Sequence, residues 1–485
     1  MIRNLLFKKE IKRIEIVVIT ALFLLINIYL ITRHEAWRDE SQAWTIVKNL
    51  SLIDVFRTLP TEGHPCLWFL FIMPFAKLGL SFYCFSFVSL ALMTITLYLF
   101  LKNAPFSLFV KIVVLFSSIF LYYNPVVSRI YSLIALIIIS IACLYKERFD
   151  RPIMYGLLIA ALFQTHVVAF GLGIGLTIGL IIDFVRERKN KKIFVSIALI
   201  FISFVLMVLE IMPRSSSPSG IDTSVSGMMS KFNPLYISDK LSNFAYTTWG
   251  IPQGILTIIA YVLLIIPVVL LFVFITRNKS WKKNYQIIII AICGVGVFFG
   301  ILIFIYTSHT QMSSILTMII LFVLWQLYAA NNEENVRISC ISLLLLLSFL
   351  SFIVPQSMMR QDVSGYFSDS KAMASVIEKS IPENGVILVE NNVDDSPVYS
   401  YVVSKRKDIT VYDIFNDAEY KFHKMGIEYR EISVPEILAK AANFDTDVYY
   451  LTYSEKNDDN LQLIYSTNDF ESIWNEDYYL YEVRR

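Results

Sequence analysis

The sequence predicts a polytopic α-helical membrane protein of about 11 transmembrane helices, followed by a small α/β domain at its C-terminus. Of the 485 residues, 56 % are hydrophobic and only 17 % are charged, which is too apolar for a soluble globular protein. Many apolar runs have the roughly 20 residues that a helix needs to cross a bilayer. Beyond residue 355, short apolar runs alternate with polar ones, as in a small mixed sheet.

Eleven apolar runs are interpreted as membrane spans from their length and hydropathy. A twelfth run, residues 66–80, is short and is interrupted by Pro74 and Lys77. The eleven predicted spans cover residues 14–31, 83–101, 106–122, 131–145, 152–166, 171–185, 193–212, 254–275, 285–306, 313–330 and 338–355.

The distribution of Lys and Arg orients these spans, because cytoplasmic loops hold the excess of positive charge. If residues 66–80 do not cross the membrane, the predicted cytoplasmic pieces carry 19 Lys or Arg in 46 residues, against 8 in 88 residues of the outer pieces. A crossing at 66–80 would reverse this bias. We therefore expect an interfacial or half-inserted helix at 66–80 on the outer side, and a cytoplasmic N-terminus on a cell-membrane protein.

Charge and hydropathy both change near Pro355, which marks a domain boundary. Residues 356–485 hold 24 acidic and 13 basic side chains, a balance of −11, whereas the whole chain stands at +2. The expected domains are a membrane domain, residues 1–355, and a soluble α/β domain, residues 356–485. The odd number of spans places the second domain outside the cytoplasm.

The elements of the second domain follow from local patterns. Its last helix opens with a capping box formed by Ser433 and Glu436. The predicted helices cover residues 368–380, 394–404 and 433–442, and the predicted strands cover residues 385–390, 409–413, 448–453, 461–465 and 478–483.

Two outer loops of the membrane domain are long, residues 33–65 and 213–253. The second is rich in Ser, Gly and Pro, a composition typical of a mobile segment, and it is longer than an ordinary connection. A gating or acceptor-contacting loop and a passive linker both fit this composition.

The first outer loop begins with RHEAWRDESQ, residues 33–42, which contains the adjacent carboxylates Asp39 and Glu40. Asp39 followed by Gln42 resembles a capping box at the start of a helix over residues 40–50, so both acids fit the start of that helix. Their position at a membrane surface equally suits a general base, because partial desolvation raises the pKa of a carboxyl group. Both interpretations stay open at this level.

Further polar residues gather at the predicted outer ends of spans, whereas the middles of the spans are nearly free of ionisable groups. A transporter usually carries such groups near the midplane. Arg129 offers paired donors to a phosphate, although an interfacial Arg often only reaches for water. Tyr122, Tyr123 and Tyr131 are interpreted as aromatic residues of the membrane interface. The candidates are Arg38, His64, Lys77, Arg129, His166, Glu210 and His309.

Several classes of site are not supported by any motif. A metal site built on Asp39 or Glu40 is conceivable, but no ligand spacing indicates one. The sequence contains no phosphate-binding or dinucleotide-binding glycine pattern. Because the second domain is acidic and the basic residues flank the predicted spans, no nucleic-acid partner is expected.

Three stretches carry a family resemblance: WRDESQAW at residues 37–44, EGHPCLWFLFIMPFAKLG at 62–79, and SRIYSL at 128–133. The first two together are fairly specific. Over residues 14–330 the chain resembles the GT-C superfamily of membrane glycosyltransferases, in particular the bacterial branch related to protein O-mannosyltransferases and the lipid A aminoarabinose transferase.

The resemblance implies a GT-C-like fold and a polyprenyl-phosphate-linked sugar as donor. It also implies transfer to a cell-envelope glycan, lipid or protein on the outer face of the membrane, with inversion at the anomeric carbon. The pair Asp39 and Glu40 would include the catalytic base, or ligate a divalent metal if one is used. Arg129 and the region of His64 would face the donor phosphate or the sugar. A flippase or transporter of lipid-linked saccharides and a non-catalytic envelope-assembly subunit are the alternatives.

Overall fold

The computed structural model describes a mostly helical protein with one six-stranded sheet near its C-terminus. Side chains at 310, 311 and 353–356 are outside the description. The described residues are 6–7, 11–36, 38–186, 190–212, 229–277, 281–305, 310–365, 367–392, 394–425, 430–468 and 476–484.

Sixteen helices precede the sheet domain in the described part of the chain, apart from a few short turns. They are α1 Arg13–Arg33, α2 Arg38–Asn49, α3 Leu52–Glu62, α4 Leu67–Lys77, α5 Phe85–Asn103, α6 Leu108–Leu115, α7 Tyr131–Leu144, α8 Pro152–Phe163, α9 Phe170–Arg186, α10 Lys191–Ile211, α11 Pro234–Trp249, α12 Ile255–Arg277, α13 Trp281–Phe304, α14 Thr310–Ala330, α15 Glu334–Leu350 and α16 Ile353–Ser364.

Seven helices in the described ranges are long and apolar enough to cross a membrane, which indicates a membrane protein. An eighth crossing results if the bent pair Leu108–Leu115 and Ile119–Val126 counts as one span. The predicted number of about 11 is not confirmed, because three predicted spans are the shorter helices α7, α8 and α15. The seven are Arg13–Arg33, Phe82–Asn103, Val167–Arg186, Lys191–Ile211, Ile255–Arg277, Trp281–Phe304 and Met312–Ala330.

The bend of 59° in the predicted span 106–122 has a local cause. Ser117 and Ser118 lie at the break, and their hydroxyls donate to the carbonyls of Val114 and Phe352. A π-helical turn, Ile119–Tyr123, follows directly. Serine pairs and π-turns are common origins of sharp bends.

Helices α2, α3 and α4 connect the first two long helices. Helix α2 begins at Arg38, so Asp39 lies inside its first turn and the predicted helix start at residue 40 is corrected by two residues. Ser51 caps α3 by accepting from the backbone N–H of Asp54. Helix α4 has 11 residues, which is too short to cross a bilayer.

The expected loop at 213–253 is only partly within the description, because residues 213–228 lie outside it. Its second half is the 16-residue helix α11. Asn233 caps this helix by accepting from the backbone N–H of Leu235, and Gly250 ends it with a φ of 65°. The expectation of an irregular loop is therefore wrong for residues 234–249.

The sheet follows α16, and its strands lie in the order β3-β2-β1-β4-β6-β5. Strand β1 pairs in parallel with β2 and β4, and the remaining pairs are antiparallel. The predicted helices and strands of this region are confirmed, and β3 was not predicted. The elements are α17 Ser370–Ser380, β1 Val386–Val389, α18 Asp395–Lys405, β2 Thr410–Asp413, β3 Ala418–Glu419, α19 Val434–Ala441, β4 Val448–Thr452, β5 Leu461–Ser466 and β6 Tyr479–Val483.

The predicted capping box at the start of α19 is wrong. Ser433 occupies the N-cap position but makes no side-chain cap hydrogen bond. The carboxylate of Glu436 instead accepts two hydrogen bonds from the guanidinium of Arg430. A bidentate, charge-assisted pair is stronger than a neutral cap.

The two faces of the sheet belong to different apolar cores. Val386 and Leu388 pack with α19 in a small separate core. Their neighbours Ile387 and Val389 belong to the large core that continues into the helical bundle. One face of the sheet therefore packs toward the bundle, where the backbone N–H of Ala36 donates to the Tyr401 hydroxyl at 2.8 Å.

Candidate active site

A cleft lies where several long helices end, beside the first turn of α2. It encloses about 610 Å³ of empty space, including its open mouth. Its polar groups come from α2, the end of α3, the turn before α4 and the segment before α7. The lining residues are Asp39, Gln42, Ala43, Glu62, His64, Trp68, Phe69, Arg129, Ile130 and Met425.

Asp39 and Arg129 form an ion pair inside this cleft. Nη1 of Arg129 donates to Oδ2 of Asp39 at 2.5 Å, and Nε of Arg38 lies 3.8 Å from the other carboxylate oxygen. The Asp39 side chain is 31 % exposed, whereas Arg129 is 12 % exposed and lies over the ring of Tyr131. A carboxylate that solvent reaches and a guanidinium held beside it can together accept a proton and stabilise an anion.

Glu40 is fully buried, although it follows Asp39 directly. Its Oε1 accepts from the backbone N–H of Ser128 at 2.6 Å, and its Oε2 lies 3.0 Å from Nε2 of His34. Successive residues of a helix point about 100° apart, so the two carboxylates meet different surroundings. Asp39 faces the cleft, and Glu40 faces the protein interior.

His34 lies between two buried carboxylates. Its Nδ1 is 2.7 Å from Oδ2 of Asp362, and its Nε2 contacts Glu40. Asp362 also accepts from the Tyr122 hydroxyl at 3.0 Å and from the backbone N–H of Glu35 at 3.3 Å. Burial lowers the pKa of His34, but Asp362 and Glu40 together outweigh it and raise the pKa to about 10. The imidazole is therefore charged at neutral pH.

Gln42 connects the cleft to the sheet domain. Its amide nitrogen donates to Oε1 of Glu62 at 3.0 Å and to the carbonyl of His423 at 2.8 Å. Its amide oxygen accepts from the hydroxyl of Ser396 at 3.0 Å and from the backbone N–H of His423 at 3.2 Å. All hydrogen-bonding positions of this side chain are thus used, which fixes one wall of the cleft against the sheet domain.

Glu62 titrates near neutral pH. Burial raises its pKa to about 7, the hydrogen bond from Gln42 opposes this shift, and the charge of Asp39 adds to it. Arg129 lowers the pKa by a smaller amount. The cleft therefore contains a second acid that can hold or release a proton at physiological pH.

Two predicted histidines lie together at the cleft. The ring centres of His64 and His166 are 5.1 Å apart. Nδ1 of His64 is buried and makes no hydrogen bond within the described part of the structure, whereas Nδ1 of His166 accepts from the backbone N–H of Val168. Burial and the charge of Arg129 lower the pKa of His64 to about 4. A neutral imidazole with an unused nitrogen can bond a hydroxyl group of a ligand.

The remaining candidates lie elsewhere. Lys77 is exposed and donates to the backbone carbonyl of Lys48 near the end of α2, so the structure places it outside the cleft lining. Such a bond satisfies a free carbonyl of a helix end. Glu210 accepts from the backbone N–H of Cys66 at 3.2 Å, and it does not line the cleft either. His309 lies outside the described residues.

The described residues contain no group of three or more His, Cys, Asp or Glu side chains that suits a metal ion. Asp39 engages Arg129, and Glu40 engages His34 and Ser128. The two carboxylates therefore do not converge on one position, as a shared ligand set requires.

Sequence reasoning missed His34, Glu62, Gln42 and Asp362. His34 and Gln42 belong to RHEAWRDESQ, and Glu62 opens the second quoted stretch, so both motifs contained a signal beyond the residues first selected. Tyr122 is buried and bonded to Asp362, so its interpretation as an interface aromatic is wrong. Asp362 had no local signal, because it lies 328 residues from its partner.

No protein-family model, curated protein or solved structure matches the chain.

Proposed function

We propose that this chain is a membrane glycosyltransferase that moves a sugar from a polyprenyl-phosphate-linked donor to a cell-envelope acceptor. The observation that supports this most is the pair of Asp39 and Arg129, joined at 2.5 Å in an open cleft at the ends of apolar helices. A base and a cation in one accessible site, next to a bilayer, suit a donor with an apolar tail and a charged phosphate.

In the proposed reaction, Asp39 takes the proton of the acceptor hydroxyl, and the oxygen of that hydroxyl attacks the anomeric carbon. The bond between that carbon and the phosphate oxygen breaks, and the configuration inverts. The polyprenyl phosphate leaves with its electron pair, and Arg129 stabilises the negative charge. Because the donor is already activated, the protein has to supply mainly orientation and these two charges.

The two carboxylates of the pair have separate roles in this proposal. Glu40 is buried and has both oxygens engaged, so it holds the first turn of α2 in place. Asp39 is exposed to the cleft and acts as the base. Glu62 and the unused nitrogen of His64 contact hydroxyl groups of the sugar, and Arg38 contacts the donor phosphate.

The proposal includes a topology of about eleven crossings, with the N-terminus in the cytoplasm and the cleft and sheet domain on the outer face. The shorter helices α7, α8 and α15 complete this number, and helix α11 lies on the acceptor side. Labelling of single cysteines introduced at 190–192 tests it. We expect labelling from the cytoplasmic side, and labelling from the outer side would contradict the topology.

Transfer of labelled sugar from a polyprenyl-phosphate donor by the purified protein tests the activity. We expect transfer by the natural protein and by Asp183→Asn, and loss of transfer in Asp39→Asn. Asp183 is a matched control because it is also a carboxylate in an ion pair, but it bonds Arg148 away from the cleft. Equal transfer by both variants would contradict the role of Asp39. If no donor supports transfer but vesicles exchange lipid-linked saccharides, the protein is a transporter instead.

A further inference from the structure

We infer that His34 is a positioning residue of this site, which binds Glu40 and Asp362 at the same time and thereby sets the separation of Asp39 and Arg129. The inference deepens the proposed function and rests on it for its kinetic readout. It also has a readout in protein stability, which does not depend on any activity.

The geometry around His34 suits an imidazolium that donates from both ring nitrogens, one to each carboxylate. They lie 2.7 Å from Asp362 and 3.0 Å from Glu40. A neutral imidazole has one N–H and donates to one acceptor, whereas the imidazolium donates to two. The side chains of His34, Glu40 and Asp362 are at most 2 % exposed, so water does not replace either bond.

These bonds form part of a continuous chain through the protein. It runs from the Tyr122 hydroxyl through Asp362 and His34 to Glu40, and ends at the backbone N–H of Ser128. The chain thus joins the bent span, helix α16, the end of α1, helix α2 and the segment that leads to α7.

Both residues of the Asp39–Arg129 ion pair are sequence neighbours of residues in this series of hydrogen bonds. Glu40 follows Asp39, and Ser128 precedes Arg129, so the 2.6 Å bond from the Ser128 N–H to Glu40 fixes the two backbones directly beside the ion pair. Without the charge of His34, the buried carboxylates of Glu40 and Asp362 would both lie against a neutral side chain. Their repulsion would displace the first turn of α2.

His34 itself does not line the cleft, so it acts through Glu40 and does not touch the substrates. It faces a second cavity, which Lys371 and Tyr401 also line. Lys371 is a further cation in this region, but it acts on the half-buried Glu35. The titratable groups that surround His34 are Glu35, Glu40, Tyr122, Asp362, Lys371 and Tyr401.

The kinetic test compares His34→Gln with Asp183→Asn in the sugar-transfer assay. We expect His34→Gln to lower kcat by about 100-fold, since a misplacement of about 1 Å has that effect. The KM for the donor should stay within about threefold, because Glu62, His64 and Arg38 are unchanged. Asp183→Asn should alter stability and leave kcat intact. A kcat of His34→Gln equal to that of the natural protein would overturn the inference.

A double variant separates coupling from general damage. His34→Gln combined with Glu40→Gln replaces the ionic contact by two neutral amides, so its kcat should be no lower than that of His34→Gln alone. If the two losses multiply instead, His34 does not act through Glu40.

If the natural protein transfers no sugar, the proposed function fails. The stability test of His34 can still be made in that case. Melting temperatures are measured from pH 6 to 10 for the natural protein and His34→Gln. The natural protein should lose stability relative to the variant as the pH rises through this range. Parallel curves would show that His34 carries no charge between the two acids.

Discussion

Two networks of buried charge lie at opposite ends of α9. They differ in how much hydrogen-bonding capacity their side chains leave unused. Near the end of this helix, Asp183 accepts from Nε of Arg148 at 2.6 Å and from the amide of Gln286 at 2.7 Å. The guanidinium also donates to Gln286 and packs between the rings of Tyr145 and Phe149. Asp183 is 3 % exposed, so this network is closed.

The network at the start of α9 is closed on one side and open on the other. Glu40 and His34 are as buried as Asp183, yet the adjacent Asp39 is 31 % exposed, and Nδ1 of His64 lacks a hydrogen-bond partner within the described residues. Buried charge alone therefore does not identify a site in this protein. The combination of a fixed charge with unused bonding capacity at a cleft is what distinguishes the candidate site.

The largest expected effect is a difference in transfer rate between variants of the two networks. We expect Asp39→Asn to reduce the transfer rate by about 10²- to 10⁴-fold, as for the loss of a general base, while Asp183→Asn leaves it within about twofold. Initial rates per folded molecule, measured at saturating donor, check this. A similar loss in both variants would mean that the difference between the networks is not functional.

Replacement of each arginine by lysine should give the next largest effect. Arg129→Lys keeps the charge but loses the fork geometry that holds a carboxylate and a phosphate together, so the transfer rate should fall about 10- to 100-fold. Arg148→Lys should leave the rate unchanged and lower the melting temperature. An unchanged rate in Arg129→Lys would show that only the positive charge of Arg129 matters and that its fork geometry does not.

Stability should show the opposite ranking of the two aspartates. Asp183→Asn disrupts a pair whose carboxylate is buried, which costs about 3–5 kcal/mol of unfolding free energy. Asp39→Asn should cost less, because its carboxylate is partly solvated. Thermal unfolding in detergent measures both changes. A larger loss in Asp39→Asn would show that the cleft is the better-enclosed network.

The smallest effect concerns the proton of Glu62. Its pKa rises from 4.5 to about 7 on folding, so the native state binds the extra proton between these values and stability falls as the pH rises through them. Glu62→Gln removes this pH dependence and should gain up to about 3 kcal/mol of unfolding free energy at pH 7, since one pKa unit corresponds to about 1.4 kcal/mol. The pKa of His64 is lowered from 6.5 to about 4, so His64 makes stability rise with pH between these values. This contribution is the same in the natural protein and in Glu62→Gln. Melting temperatures from pH 4.5 to 7.5 check the difference.

The C-terminal sheet could be predicted from sequence because its elements are set by local alternation and turn residues. The predicted strand at 448–453 is observed as Val448–Thr452, and the predicted helix at 394–404 as Asp395–Lys405. The two-residue strand β3 gave no such pattern. The long spans were also predictable from a local signal, which in their case is a continuous apolar run.

The site was predictable only where its residues lie at the predicted outer ends of spans or in outer loops. Asp39, His64, Arg129 and His166 do come together around one cleft, which the charge bias of the loops suggested. The contacts of His34 with Asp362 and of Gln42 with His423 span 328 and 381 residues. They depend on how the sheet domain packs on the bundle, and no local pattern contains that information.

Helix α16 also affects how shortened or hybrid chains behave. The change in composition at Pro355 falls inside this helix, and Asp362, seven residues later, belongs to the helical bundle by its contact with His34. A chain cut at residue 355 loses the acid that faces His34, so its inactivity would say nothing about acceptor recognition. An exchange of sheet domains between related proteins would have to join the two parts after Gly365, where the helix ends.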